Sequence, residues 1–319
     1  MRLFINKTKT FAAVVMLMFI AKYSNAQFDN MFTQYMFNET FINPAYAGSK
    51  EAMNATLLHR QQWVDFAGRP ITTSFSLHGP LKNNKMGVGI SVLNEKIGVL
   101  SHNLTYINYA YRLKTGEKST LAFGLMGGIH NQMNKFSDIK ANNDGSVDPQ
   151  FSQNNANTIA PNFGAGIYFN TKTFYAGLSV PRMINDKVKY ATNGSMELSA
   201  KIEPQNFHYY LTVGNLFTLN SKLKLKGQAM VKAVQNSALQ FDLNANFLIK
   251  DRIWAGASYR NGSAVSAIIG VQVSSQFLVS YAFDYTLNSI QKYSQGSHEI
   301  VLNYLFSYKG KKVVTPRFF

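Results

Sequence analysis

The sequence predicts an all-β transmembrane barrel of about 14 antiparallel strands, set in a bacterial outer membrane. Three observations predict it: segments of 8–14 residues in which apolar and polar residues alternate, aromatic residues at the ends of those segments, and long connections that all fall on one side of the sheet. The composition agrees. Charged residues are 15% of the chain, against about a quarter in a soluble domain. With 24 Phe and 17 Tyr it is too aromatic for a disordered chain, and it lacks the several apolar runs of about 20 residues that a helical membrane protein needs. The absence of cysteine excludes disulfides, thiolate metal sites, iron–sulfur clusters, a Cys nucleophile and an acylated lipoprotein cysteine.

Residues 1–26 read as a secretory signal peptide. Arg2, Lys7 and Lys9 form a basic start, Phe11 to Ile20 an apolar core too short to span a bilayer, and Ser24-Asn25-Ala26 a small-residue cleavage site ahead of Gln27. Its removal takes four basic residues and brings the formal charge from +16 to +12. Passage across an inner membrane argues against the nucleic-acid partner that a basic chain would otherwise suggest.

Residues 27–49 form a segment ahead of the barrel, placed by the sequence reading on the periplasmic side as a plug or a docking element. It carries Gln34-Tyr35-x-x-Asn38-x-x-x-x-Asn43-Pro44-Ala45-Tyr46-Ala47-Gly48, in which Pro after Asn imposes an extended or turn conformation and Gly48 relieves the backbone. Barrel assembly and partner docking explain so specific a spacing equally well.

Residues 50–308 are read as the barrel, with strands at roughly 50–62, 70–80, 86–94, 102–113, 119–132, 160–170, 173–181, 205–217, 222–234, 238–250, 252–260, 263–274, 276–286 and 297–308. The first hairpin holds Arg60-Gln61-Gln62-Trp63 and then Gly68-Arg69-Pro70-Ile71-Thr72. The ninth sets Leu223, Leu225, Ala229, Val231 and Ala233 against Lys222, Lys224, Lys226, Gln228 and Lys232. The tenth sets Leu239, Phe241, Leu243, Ala245, Phe247 and Ile249 against Gln240, Asp242, Asn244, Asn246 and Lys250. In the last, Ile300, Leu302, Tyr304 and Phe306 oppose Glu299, Asn303 and Ser307. Alternation alone also fits a soluble sandwich, but these segments exceed the five or six residues usual there and meet the 9–11 that spanning requires. Tyr109, Tyr111, Tyr259 and Tyr285 stand where an interfacial girdle would. With the N-terminus in the periplasm, the even connections are all short, and the long loops at 133–159, 182–204 and 287–296 are all extracellular. A basic tail, residues 309–319, is read as periplasmic, and the chain ends on the aromatic Phe319.

Catalytic and cofactor patterns are missing. Gly177-Leu178-Ser179-Val180-Pro181 and Gly256-Ala257-Ser258-Tyr259-Arg260 lack the second glycine of a nucleophile elbow, and Gly116-Glu117-Lys118-Ser119 is no P-loop. The six His have no metal-binding spacing, and Asn143-Asp144-Gly145-Ser146-Val147-Asp148 lacks the acid that would close a calcium loop. The reading is therefore of a non-enzymatic protein without cofactor. Lys222, Lys224, Lys226 and Lys232 form either an anion-selecting lumen ladder or solvated interior residues balanced by Asp242 and Glu299.

The QYxxNxxxxNPAxAG segment, the RQQWxxxxGRPxT hairpin, Tyr109-Ala110-Tyr111, Phe283-Asp284-Tyr285, the closing Gly296-Ser297-His298-Glu299-Ile300-Val301-Leu302 and the terminal Thr315-Pro316-Arg317-Phe318-Phe319 together resemble the PorP/SprF family. That resemblance covers essentially the whole mature chain. It implies an outer-membrane component of the type IX secretion system of Bacteroidota, which also serves gliding motility. It further implies export or surface retention of cargo with a C-terminal sorting domain, such as a large adhesin, and association with periplasmic lipoprotein or peptidoglycan-binding components. A passive solute or anion channel is the alternative.

Overall fold

The computed structural model describes residues 31–81, 84–135, 158–190, 196–235 and 237–306. The segment expected to be a signal peptide, the calcium-like turn and the basic tail lie outside the described residues. Fourteen antiparallel strands close into a barrel: β1 (Met53–Gln61), β2 (Ile71–Pro80), β3 (Met86–Ile97), β4 (Leu100–Lys114), β5 (Thr120–Asn134), β6 (Thr158–Asn170), β7 (Phe174–Val180), β10 (Tyr209–Asn220), β11 (Leu223–Ala233), β12 (Gln240–Ile249), β13 (Ile253–Arg260), β14 (Ala264–Gln272), β15 (Phe277–Thr286) and β16 (Ser297–Phe306). The seam is the pairing of β1 with β16, with Met53 opposite Phe306 and Gln61 opposite His298. Closure removes the unpaired strand edges that lipid could not hydrogen-bond.

Every strand expected from the alternation is present in the barrel. The connection expected between residues 182 and 204 is different: it holds a separate hairpin, β8 (Ile184–Tyr190) and β9 (Met196–Ile202). Met196, Leu198, Ala200 and Ile202 alternate with polar residues, so the signal was in the sequence. At seven residues each, however, these strands fall below the length that spans a bilayer.

Outward positions are apolar and exposed, as in Ile107, Leu125, Phe163, Leu178, Leu243 and Ile269. The inward positions beside them are buried and mostly polar, among them Asn108, Thr212, Asn244, Asn246 and Ser266. This is the opposite of a soluble barrel and matches a wall facing acyl chains.

Residues 31–50 lie inside this wall rather than below its short-turn mouth. The physical reason is a set of inward apolar residues that interrupt the polar pattern: Leu58, Leu248, Trp254, Ile268, Leu278 and Val301 pack with Phe32, Tyr35, Met36, Phe37 and Ile42 of the segment. Across the lumen, Ala45 and Tyr46 pack with Ala122, Tyr168, Tyr175 and Leu216. The barrel therefore has a packed apolar core, and the N-terminal segment supplies about a third of it.

The outward register is testable. Leu243→Arg near mid-membrane should cost about 2–4 kcal/mol, whereas Leu243→Phe should be tolerated. Urea titration of the vesicle-reconstituted barrel measures both. An Arg variant as stable as the parent would show that position 243 does not face lipid.

Candidate functional site

The site is the lumen, and its elements are the segment 31–50 and the wall around it. The segment is built of three short 3-10 turns, Tyr35–Phe37, Glu39–Phe41 and Pro44–Tyr46. Off the sheet and away from water, each backbone amide must find a local acceptor, and turns that bond three residues back provide one. Phe37 N–H donates to the Gln34 carbonyl at 3.0 Å and Ile42 N–H to that of Glu39 at 3.0 Å. Asn43 caps the last turn: its Oδ1 accepts from Ala45 N–H at 2.9 Å, and Pro44 fills the first position, where a missing N–H costs nothing.

Wall contacts run in order along the segment. At its start, Thr33 and Gln34 meet a buried ionic cluster. Arg60 on β1 pairs with Asp284 on β15 at 2.7 Å and with Glu299 on β16 at 3.1 Å. Glu299 also accepts the backbone N–H groups of Thr33 at 2.9 Å and Gln34 at 2.7 Å, and the Thr33 hydroxyl donates to Asp284 at 2.8 Å. Beside them Arg260 holds Asp242 at 2.9 Å and donates to the Phe32 carbonyl at 2.9 Å. Two carboxylates around one guanidinium leave excess negative charge, and the two segment amides are the donors that offset it. Further along, Asn38 donates to Ser74 Oγ at 3.0 Å and Asn43 Nδ2 to the Ile167 carbonyl at 2.9 Å. At the far end, Gly48 N–H donates to His78 Nδ1 at 3.1 Å.

Wall glycines make the close approach possible. A Cβ at Gly87 would fall 2.0 Å from the Ala47 carbonyl oxygen, at Gly124 2.1 Å from Ala45 N, and at Gly166 2.2 Å from Asn43 Oδ1. Gly48 has φ +76°, and its own Cβ would meet the Gly87 Cα at 2.9 Å. Gly87, Gly124 and Gly166 sit on β3, β5 and β6, so the Asn43–Gly48 stretch lies in a trough made by three strands.

The structure gathers Gln34, Arg60 and Glu299 into one cluster, and distributes Asn38, Asn43, Pro44, Ala45 and Gly48 down the lumen. Tyr35 is buried in the apolar core. Gln61 and His298 lie on the outward side of the seam strands; Gln61 Nε2 is 3.3 Å from His59 Nε2, and Tyr281 Oη is 2.6 Å from His298 Nδ1. Trp63 and Gly68 shape the ordered β1–β2 connection, with φ of +54° and +73°. Trp63 N–H reaches Ser297 Oγ at 3.1 Å, the Gly68 carbonyl accepts from Gly98 N–H at 2.9 Å, and Pro70, buried, accepts from Gln62 N–H at 2.9 Å.

The four lysines do not form a ladder. Lys226 is buried and lies, with Lys50, near the buried Glu39 of the segment. Lys232 lies over the Tyr210 ring at 5.4 Å, and Lys224 pairs with Asp251 at 2.6 Å. Lys222 is exposed in the β10–β11 turn, because β11 begins one residue later. Among the described residues no group of three or more His, Asp or Glu could hold a metal ion.

Sequence reasoning missed Thr33, Arg260 and the wall glycines as parts of this site, and placed Asp242 in the interior as a partner of the lysines when its partner is Arg260. The available signals were opposite charges at inward positions near the ends of five strands, and glycine at inward positions of β3, β5 and β6.

Two variants test the site through the temperature at which the folded gel mobility is lost. Arg60→Ala leaves two buried carboxylates uncompensated and should cost about 3–5 kcal/mol, with much of the loss recovered when Asp284→Asn and Glu299→Gln are added. Gly124→Val should lower the transition clearly, while Gly127→Val on the same strand, whose Cβ would meet nothing nearer than 3.7 Å, should not. Equal effects at 124 and 127 would remove the trough from the account.

The family model for the type IX secretion system membrane protein PorP/SprF matches residues 24–304. No curated protein matches the chain. Among solved structures it is similar in outline to the outer membrane protein Omp33 of Acinetobacter baumannii (8% identity, 81% of this chain and 100% of that one, TM-score 0.45). Two others are the CymD monoaromatic hydrocarbon channel (11%, 88% and 94%, 0.47) and the NanC porin (10%, 81% and 100%, 0.39). A closed barrel with an apolar outer wall, together with a family match that runs from before the luminal segment into the last strand, makes this chain an outer-membrane β-barrel of the PorP/SprF family of type IX secretion proteins.

Proposed function

We propose that the protein supports the export, or the retention at the cell surface, of large proteins bearing a C-terminal sorting domain, a gliding-motility adhesin among them. Membership of the family makes it a component of the secretion system in the outer membrane, associated with other components of that system. The observation that favours a platform over a solute channel is the occupied lumen: residues 31–50 are buried along nearly their whole length and bonded to the wall at every level. Interior lysines engaged by Glu39 and by the Tyr210 ring weigh against an anion-selecting ladder. A platform acts through its two mouths. On the outside these are the connection at 62–70, the insertion carrying β8 and β9, and the loop at 287–296. On the periplasmic side the short turns and the basic tail 309–319 are the surfaces for lipoprotein or peptidoglycan-binding partners.

The motif residues Gln34, Asn38, Asn43, Pro44, Arg60, Trp63 and Glu299 are assigned to assembly of this platform rather than to chemistry on a substrate. Deleting the gene should abolish surface display of one or a few large proteins and leave small-solute uptake unchanged. Asn43→Ala combined with Trp63→Ala should reproduce the defect, and the amount of barrel in the outer membrane separates failed assembly from lost partners. Normal secretion with lost uptake of an anion would establish the channel reading instead.

A further inference from the structure

The luminal segment has a direction. Its first described residues meet wall residues next to the connections at the long-loop end: Gln240 Nε2 is 3.7 Å from Met31 Sδ, Arg260 donates to the Phe32 carbonyl, and Asp284 and Glu299 hold Thr33. Residue 240 follows the 234–239 connection, 260 precedes 261–263, and 284 and 299 flank 287–296. Its last residues meet the opposite end. Gly48 bonds His78 and lies against Pro80 and Gly87, the residues flanking the short β2–β3 turn. Between these ends the contacts step through Ser74, Ser91 and Ile167 without turning back. A cavity of about 70 Å³, lined by Met31, Phe32, Tyr106, Arg182 and Tyr210 among others, flanks the segment at its upper end.

From this direction we propose that residues 31–50 thread the barrel outward, with Met31 at the extracellular mouth beside the loops at 62–70 and 287–296 and Gly48 at the periplasmic end where β1 begins. The inference rests on the orientation of the barrel, with short turns in the periplasm. The consequence for secretion is that the start of the segment belongs to the extracellular face of the protein, fixed in place by the Arg60 cluster a few residues away.

The chain has no cysteine, so single-cysteine labelling is unambiguous. A membrane-impermeant maleimide would be applied to intact cells expressing Met31→Cys, with Tyr293→Cys in the β15–β16 loop and Glu117→Cys in the β4–β5 turn as markers of the two ends. An epitope inserted between Gln27 and Phe28 provides a second probe that does not depend on how tightly residue 31 is packed. The expected result is reaction of Tyr293→Cys and Met31→Cys, or antibody binding to the epitope, on intact cells, while Glu117→Cys reacts only after the outer membrane is opened. If Tyr293→Cys reacts from outside but neither N-terminal probe is reached, the proposal is overturned and the barrel orientation stands. If Glu117→Cys reacts from outside and Tyr293→Cys does not, the orientation itself is wrong and the proposal falls with it.

Discussion

The structure depends on one buried ionic cluster. Arg60, Asp284 and Glu299 come from β1, β15 and β16, so the cluster lies across the seam where the first and last strands meet. Removing three charges from water is costly, and a buried ion pair is weak evidence of stability by itself. Here the cluster is completed by donors from elsewhere in the chain: the Thr33 and Gln34 amides donate to Glu299 and the Thr33 hydroxyl to Asp284, hydrogen bonds that Arg60 alone cannot give. The seam and the segment therefore specify each other. Without the segment the carboxylates are under-satisfied, and without closure Arg60 on β1 does not reach them.

The rest of the lumen follows from that anchor. A segment held at one end must satisfy its own backbone on the way down, which explains the chain of 3-10 turns and the Asn cap before Pro44. It must also fit. Apolar wall residues line one side, where aromatic side chains fill the space, and glycine lines the other, where the backbone itself touches the strands. Glu39 is buried in this core beside Lys226 and Lys50, basic groups that oppose the burial penalty on its carboxylate. The interior lysine thus belongs to the packing of the segment.

Much of this was legible before any coordinates. Period-two alternation marks each spanning strand, because lipid on one side and a polar interior on the other impose a two-residue repeat that no other context makes so long. The separate hairpin of β8 and β9 escaped because seven-residue strands do not meet the spanning length. The motif of Gln34 to Gly48 was visible as a constraint, with a plug and a docking element left as alternatives, but its partners on the wall were not. What locates it is long-range: Glu299 lies 265 residues from Gln34. Local pattern cannot pair them. The inward Leu58, Trp254, Leu278 and Val301 were the overlooked clue, since a water-filled pore has no use for apolar residues on its inner face.

The central claim is that the N-terminal segment fills the barrel and closes it. Its most direct test is the conductance of the full mature protein in a planar bilayer, with insertion verified independently by the loss of folded gel mobility on heating of the same preparation. The account predicts membrane-inserted barrels that carry no steady current in either polarity. Steady single-channel currents from the unaltered protein, of the size given by a water-filled barrel, would contradict it.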